Sequence, residues 1–324
     1  MNKRIVFPLG LLLLFLFLDL FYTRGIGLFG DAMDSNVFQH FRLPRVLGAV
    51  FAGISLGISG LALQTLFRNP LAGPFLTGIT PGASLGIALL LLGIPAGMSL
   101  GDAFFFSMSG AGLLGGMLVL LLQLYINKRH GGIFTLLLSG VMLGYLAGAV
   151  TDMLQTLAQA EQVKSFVMWG MGNFDRVQRD QLLWFGASSV AGAIAILLMR
   201  YKLDAWLPGE MYAQNSGINT QKLRWQIVLI CGLLAGTTTA FCGPIGFVGL
   251  AAPHLSRMTV QRGMHGQLWL PTMIWGMLFC VFADFLAHNL FEHITLNVNS
   301  ICALAGAPIV LWILLKRGGF AKNM

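Results

Sequence analysis

Cys242-Gly243-Pro244-Ile245-Gly246-Phe247-Val248-Gly249-Leu250-Ala251-Ala252-Pro253-His254-Leu255-Ser256-Arg257 overlaps the end of a long apolar run, residues 222–243. Gly and Pro at this density break a helix, and the break falls at bilayer depth. Irregular backbone at that depth is tolerated only where protein or a cavity satisfies its N–H and C=O groups. The stretch therefore predicts a helical membrane bundle whose eighth span, 246–258, is short: a half-helix or a full crossing.

Working outward, apolar runs recur along the whole chain. The 324 residues are 56% hydrophobic and 10% charged, where a soluble domain carries roughly a quarter charged residues. Mean hydropathy is +0.77. About ten spans are expected, at 5–23, 44–67, 75–93, 103–126, 132–157, 181–200, 222–243, 246–258, 268–291 and 299–316. No polar stretch is long enough to hold its own core, so residues 1–324 read as one polytopic domain. Residues 160–172 are too polar and too short to span and read as an interfacial amphipathic segment. Met1-Asn2-Lys3-Arg4 and the apolar run to Leu18 resemble a signal peptide; with no small-residue cleavage site after them, they read as a retained first helix.

The net charge of +8 is not a nucleic-acid signature, because the basic residues are spread over short loops. With ten crossings and an internal N-terminus, 14 lie on the cytoplasmic side: Lys3, Arg4, Arg68, Lys128, Arg129, Arg200, Lys202, Lys222, Arg224, Arg257, Arg262, Lys316, Arg317 and Lys322. The other face receives 6, namely Arg24, Arg42, Arg45, Lys164, Arg176 and Arg179, and this asymmetry orients both termini to the cytoplasm. Glycine pairs four apart, and the run Gly140, Gly144, Gly148, argue for close helix packing. Ala52-Gly53 with Gly60 matches Ala235-Gly236 with Gly243, a weak inverted repeat in which each copy is soon followed by a Pro-containing break. The four cysteines all fall in apolar segments without ligand spacing and read as buried hydrophobes.

Catalytic machinery is missing from the sequence. None of the seven lysines follows a glycine, so there is no phosphate-binding P-loop, and Glu292-His293 has no partner histidine at metalloprotease spacing. Gly57-Ile58-Ser59-Gly60 matches an intramembrane-protease string but reads as a packing face. Of the carboxylates weighed as ion-path groups, Asp152 sits near a span end and Asp284 lies deeper; a lone deep carboxylate reads as a helix–helix hydrogen-bonding group.

Beside the broken stretch, two further stretches are too polar or irregular for their place. Phe41-Arg42-Leu43-Pro44-Arg45 puts two arginines on the charge-poor face, suited to interfacial anchoring or to an acidic partner. Leu203 to Leu223 is the longest cytoplasmic loop, with Pro208-Gly209 before a short helix and Gly217 where it ends, suited to a lever or a passive connector.

Taken together these strings resemble the FecCD-type permeases of type II ABC importers, which handle iron-siderophores, haem and vitamin B12. The resemblance rests on Arg42-Leu43-Pro44-Arg45, on Ser59-Gly60 through Gln64 and Arg68-Asn69-Pro70-Leu71-Ala72, and on Leu76-Thr77-Gly78-Ile79-Thr80 with Gly82-Ala83. It continues through Gly246 to Leu250, Pro253-His254 and Arg257, and ends at Ala303-Leu304-Ala305-Gly306-Ala307-Pro308. It implies a non-enzymatic transport subunit of a bacterial inner membrane, without cofactor or metal of its own, working as a homodimer with a path along the dimer axis. The implied partners are two cytoplasmic ATPase subunits, an extracytoplasmic substrate-binding protein and a bulky metal-chelate substrate: ferric siderophore, haem or cobalamin.

By the same resemblance Arg42 and Arg45 dock the binding protein, joined by His288 where the family carries a basic residue. Gly209, Glu210, Ala213, Gln214 and Gly217 belong to the ATPase-coupling helix. Phe247, Gly249, Pro253, His254 and Arg257 lie near the inner mouth, and Gly78, Thr80 and Gly82 line or gate the path. Gln214, Asn215 and Ser216 depart from the family's basic-and-leucine pattern, which implies more polar ATPase contacts, and His288 docking a carboxylate would make binding pH-sensitive. The alternative reading is a secondary transporter driven by an ion gradient, which would work without ATPase subunits.

Overall fold

The computed structural model describes residues 3–23, 27–28, 37–93, 103–260, 263–291 and 294–317. Arg24, Arg262 and Lys322 of the charge count, and the Glu292-His293 pair, lie outside the described residues. Helices carry nearly everything: α1 (Lys3–Phe21), α2 (Leu43–Leu66), α3 (Ile79–Gly93), α4 (Ala103–His130), α5 (Ile133–Leu157), α6 (Ala160–Gly170), α7 (Arg179–Leu198), α8 (Arg200–Trp206), α9 (Glu210–Asn215), α10 (Thr220–Cys242), α11 (Val248–Thr259), α12 (His265–Asn289) and α13 (Val298–Arg317). A π-helical turn, Phe38–Arg42, leads into α2, and a short antiparallel ladder pairs Tyr22 with Leu28 after α1.

Each expected span coincides with a helix, and so does the amphipathic segment, as α6. Among the described residues six helices are long and apolar enough to cross a bilayer: α2 with its lead-in turn, α4, α5, α7, α10 and α12. Ile5–Phe21, Ile79–Gly93 and Val298–Trp312 are shorter apolar helices, and α11 has 12 residues, about 18 Å of rise, as its Gly/Pro content predicts.

Helix α2 is the axis of the bundle, the most enclosed of the membrane-length helices, followed by α10. Glycine makes this approach feasible. A Cβ on Gly53 would overlap the backbone of Gly276 in α12, and one on Gly60 would overlap the Gly249 carbonyl of α11. Backbone-to-backbone contact of this kind replaces the hydrophobic driving force that lipid cannot supply. The two spans of the weak repeat, α2 and α10, are each followed by an irregular segment and a short helix: 67–73 with Pro74–Thr77, and 243–247 with α11. Large apolar side chains on α4, α5 and α7, such as Leu114, Tyr145 and Leu183, point outward, as a lipid-facing surface requires. All four cysteines are free and buried.

Candidate translocation path, outer charge cluster and coupling end

The two irregular segments meet. A cavity of about 360 Å³ lies between them, lined by Phe75, Thr80, Phe247, Gly249, Leu250 and Asn299 among others. Its wall is overwhelmingly apolar. Phe247 takes a left-handed backbone conformation (φ +64°), which a bulky side chain adopts only under constraint at a cost of about 1–3 kcal/mol. Gly306 of α13 makes room for it, since a methyl there would sit 2.5 Å from the Phe247 Cβ. Asn299 at the start of α13 accepts from the Gly246 N–H at 2.9 Å and so pins the same turn.

The remaining residues expected near the inner mouth stitch this segment to the other break. Arg257 Nη1 donates to Gln64 Oε1 at 2.6 Å, and Gln64 Nε2 donates to the Leu250 carbonyl at 3.4 Å. His254 Nε2 lies 3.0 Å from the Pro70 carbonyl, and Pro253 is buried within α11. Of the three residues expected on the path, Thr80 lines the cavity. Gly78 and Gly82 instead face neighbouring helices: a Cβ on Gly78 would overlap the Gly140 carbonyl of α5, and one on Gly82 would sit 2.6 Å from Val119 of α4.

At the opposite end of α2, Arg42 is 8% exposed, and its Nη1 donates to the Leu20 carbonyl at 3.1 Å. Arg45 is the hub of a cluster that the sequence did not announce. Its Nη2 donates to Asp19 Oδ1 at 3.0 Å, its Nε lies 3.0 Å from Asp284 Oδ2, and its Nη1 lies 4.0 Å from Asp175 Oδ1. His288 closes the cluster, with Nε2 3.1 Å from Asp175 Oδ2 and Nδ1 3.4 Å from Asp284 Oδ1. Asp284 is thus not a lone deep carboxylate but half of a buried ion pair, and Asp19, in the Leu18-Asp19-Leu20 string, is buried against the same arginine. Asp175 is half-exposed in the loop before α7. Burial pushes its carboxyl up, but hydrogen bonding and charge from His288, with Arg45 behind, outweigh that and hold it below the usual carboxylate range.

At the other end of the bundle, α9 presents Met211 and Tyr212 to the exterior and turns Ala213 inward. Gly209 (φ +137°) and Gly217 (φ +79°) bracket it in conformations open to glycine. Glu210 pairs with Arg224 of α10 at 3.4 Å, and Gln214 Nε2 donates to Thr220 Oγ1 at 3.2 Å. The preceding helix α8 is fastened more deeply. Trp206 Nε1 donates to the Leu66 carbonyl at 3.1 Å, and Asp204 Oδ1 lies 2.6 Å from His265 Nδ1, whose Nε2 lies 2.7 Å from Thr65 Oγ1. The chain Asp204–His265–Thr65 ties α8 to the ends of both α12 and α2.

Residues 8–316, nearly the whole chain, match the FecCD transport family. The chain belongs to the FecCD transport family. Among the relatives of this FecCD permease is the hemin transport system permease HmuU of Yersinia pestis, 32% identical over 89% of this chain and 85% of the relative. The vitamin B12 import permease BtuC of Vibrio cholerae is 34% identical over 88% and 85%, and the molybdate import permease MolB of Haemophilus influenzae is 33% identical over 93% and 88%. A solved inward-facing ABC transporter of the metal-chelate type superposes with TM-score 0.84 at 30% identity, covering 97% of the FecCD permease and 99% of that chain. This FecCD protein is therefore a multi-pass membrane transport subunit of ABC permease type.

Proposed function

We propose that the chain is the permease of an ATP-driven importer that moves a bulky metal chelate, of the ferric siderophore, haem or cobalamin class, by alternating access along a homodimer axis. It crosses a bacterial inner membrane ten times with both termini cytoplasmic, takes two ATPase subunits on the α9 side and a substrate-binding protein on the Arg45 side, and performs no catalysis itself. The observation that carries this reading is the anchored, outward-facing α9, whose lead-in helix is hydrogen-bonded to the ends of α2 and α12. A push on α9 has a rigid route into the bundle.

The character of the cavity favours chelate over oxyanion. The relatives are named for haem, vitamin B12 and molybdate, but a bare oxyanion leaving water needs convergent donors. The cavity wall offers two side-chain donors, the Thr80 hydroxyl and the Asn299 amide, among apolar side chains. A weakly binding apolar conduit suits a large cargo selected elsewhere.

Docking follows from the outer cluster. Arg45 and His288 hold Asp175 at the surface, and a carboxylate from the binding protein takes its place, with Arg42 alongside. The ion-gradient alternative is disfavoured because Asp284 and Asp19 are locked to Arg45, where a transported ion would need them free. The test is uptake into liposomes bearing the chain with its ATPase subunits, offered ferric siderophore, haem, cobalamin and molybdate with ATP or with an ion gradient. ATP-dependent uptake of one chelate supports the reading; uptake by the chain alone on a gradient, or of molybdate only, opposes it.

A further inference from the structure

Helices α4 and α10 pack against each other in antiparallel sense, and each shows one lipid-facing stripe. On α4 the exposed residues Leu114, Leu118, Leu121 and Tyr125 follow one another at spacings of four, three and four, a single helix face, and three residues later the stripe ends at exposed Lys128. On α10 the corresponding face runs from Leu233 through Leu229 to Trp225 and ends at exposed Lys222. Both stripes end in lysine at the same end of the bundle, the end that carries α9. There the two lysines, with Asn219, Gln221 and Trp225, line one shallow pocket of about 360 Å³. Trp225 is half-buried and braced against the core. Among the described residues neither lysine has a carboxylate within ion-pairing distance.

We propose that this pocket binds the phosphate of an anionic phospholipid, with an acyl chain lying along the α4 and α10 stripes. Length and charge both argue for it. From Leu114 to Lys128 the helix rises about 21 Å, more than the roughly 15 Å that one leaflet of hydrocarbon occupies. An acyl chain therefore stays on apolar side chains until its headgroup reaches the lysines. Two cations without a carboxylate partner among the described residues, beside an indole at headgroup depth, match a phosphodiester, and the N-terminus of α10 adds its partial positive charge on the same side. Zwitterionic lipid offers the same phosphate with a tethered cation that opposes the lysines, so selectivity for net negative charge is the signature. With each lysine near an anionic headgroup contributing about a 5.5-fold preference, the pair favours anionic lipid about 30-fold.

The experiment uses the purified full chain in detergent, with phosphatidylglycerol and phosphatidylcholine of identical acyl chains supplied in equal amounts and bound lipid counted by native mass spectrometry. The expected result is about a 30-fold excess of phosphatidylglycerol adducts, unchanged by millimolar inorganic phosphate, kept by Lys128→Arg/Lys222→Arg and brought to near parity by Lys128→Gln/Lys222→Gln. Both lysines are exposed, so the charge-neutral variant folds, and its thermal midpoint verifies this. Equal retention of the two lipids by the unaltered chain overturns the proposal, as does a preference that survives in the glutamine variant. If that variant keeps the preference but no longer assembles with ATPase subunits, the pocket belongs to a protein contact and the lipid assignment fails.

Discussion

Arg45 Nε and Asp284 Oδ2 lie 3.0 Å apart, joining α2 to α12 at the end of the bundle opposite α9, with Asp284 wholly removed from solvent. A pair so buried gains little over apolar packing while intact, but removing one partner strands the other charge. Arg45→Ala is therefore expected to lower stability by about 3–5 kcal/mol. Arg45→Ala/Asp284→Ala recovers only the part of that loss that comes from stranding Asp284, because Asp19 stays buried without its arginine. Thermal unfolding of the purified chain and both variants measures the difference.

Asp175 supplies a pH dependence of known sign. Its carboxyl is held below its ordinary range in the folded chain, so its contribution is present in full above the unfolded value of about 3.9 and is lost as pH falls through the lower folded value. Thermal midpoints recorded from pH 6 down to pH 3 should fall more steeply for the unaltered chain than for Asp175→Asn. The same substitution frees the surface of Arg45 and His288, so affinity for the binding protein should rise severalfold.

The chain Asp204–His265–Thr65 predicts uncoupling. His265→Phe leaves Asp204 and Thr65 without their shared partner, a loss of about 1–3 kcal/mol in a buried hydrogen-bonded site. Assembled with ATPase subunits, the variant should hydrolyse ATP near the normal rate while moving at least tenfold less cargo per ATP. Equal losses of hydrolysis and transport would mean that His265 only supports the fold. Thr65→Val, which removes one link, should fall between.

Gly60→Ala tests the close approach of α2 to α11. The added methyl overlaps the Gly249 carbonyl, a backbone atom that cannot swing aside. A cost of about 1–3 kcal/mol is expected from overpacking, visible as a lower thermal midpoint. Gly93→Ala, where a Cβ meets open space, is the control.

The sequence disclosed what is local. Apolar runs and their breaks located the helices, Asn69-Pro70 and Gly243-Pro244 marked the two irregular segments, and Pro208-Gly209 with Gly217 bracketed α9. What it hid depends on distant residues meeting. Asp175 and His288 are 113 positions apart and Thr65 and His265 are 200 apart, so no spacing rule connects them. Gly78 and Gly82, placed on the path by the family resemblance alone, pack against α5 and α4, while Thr80 between them reaches the cavity; a string of residues does not say which face of the helix meets which neighbour. Asp19 did leave a trace, a carboxylate inside an apolar helix, which at bilayer depth demands a partner.

The most direct test of the central claim is ATP hydrolysis against uptake in liposomes carrying the chain with its ATPase subunits, compared with Glu210→Lys and Ala213→Trp. Glu210 pairs with Arg224, and Ala213 packs wholly inward, so both changes disturb the seat of α9 without touching the cavity. The importer account predicts a stable complex in which both variants keep hydrolysing ATP while uptake collapses. Uptake that continues undiminished in either variant, or that proceeds without ATPase subunits on an ion gradient, would contradict it.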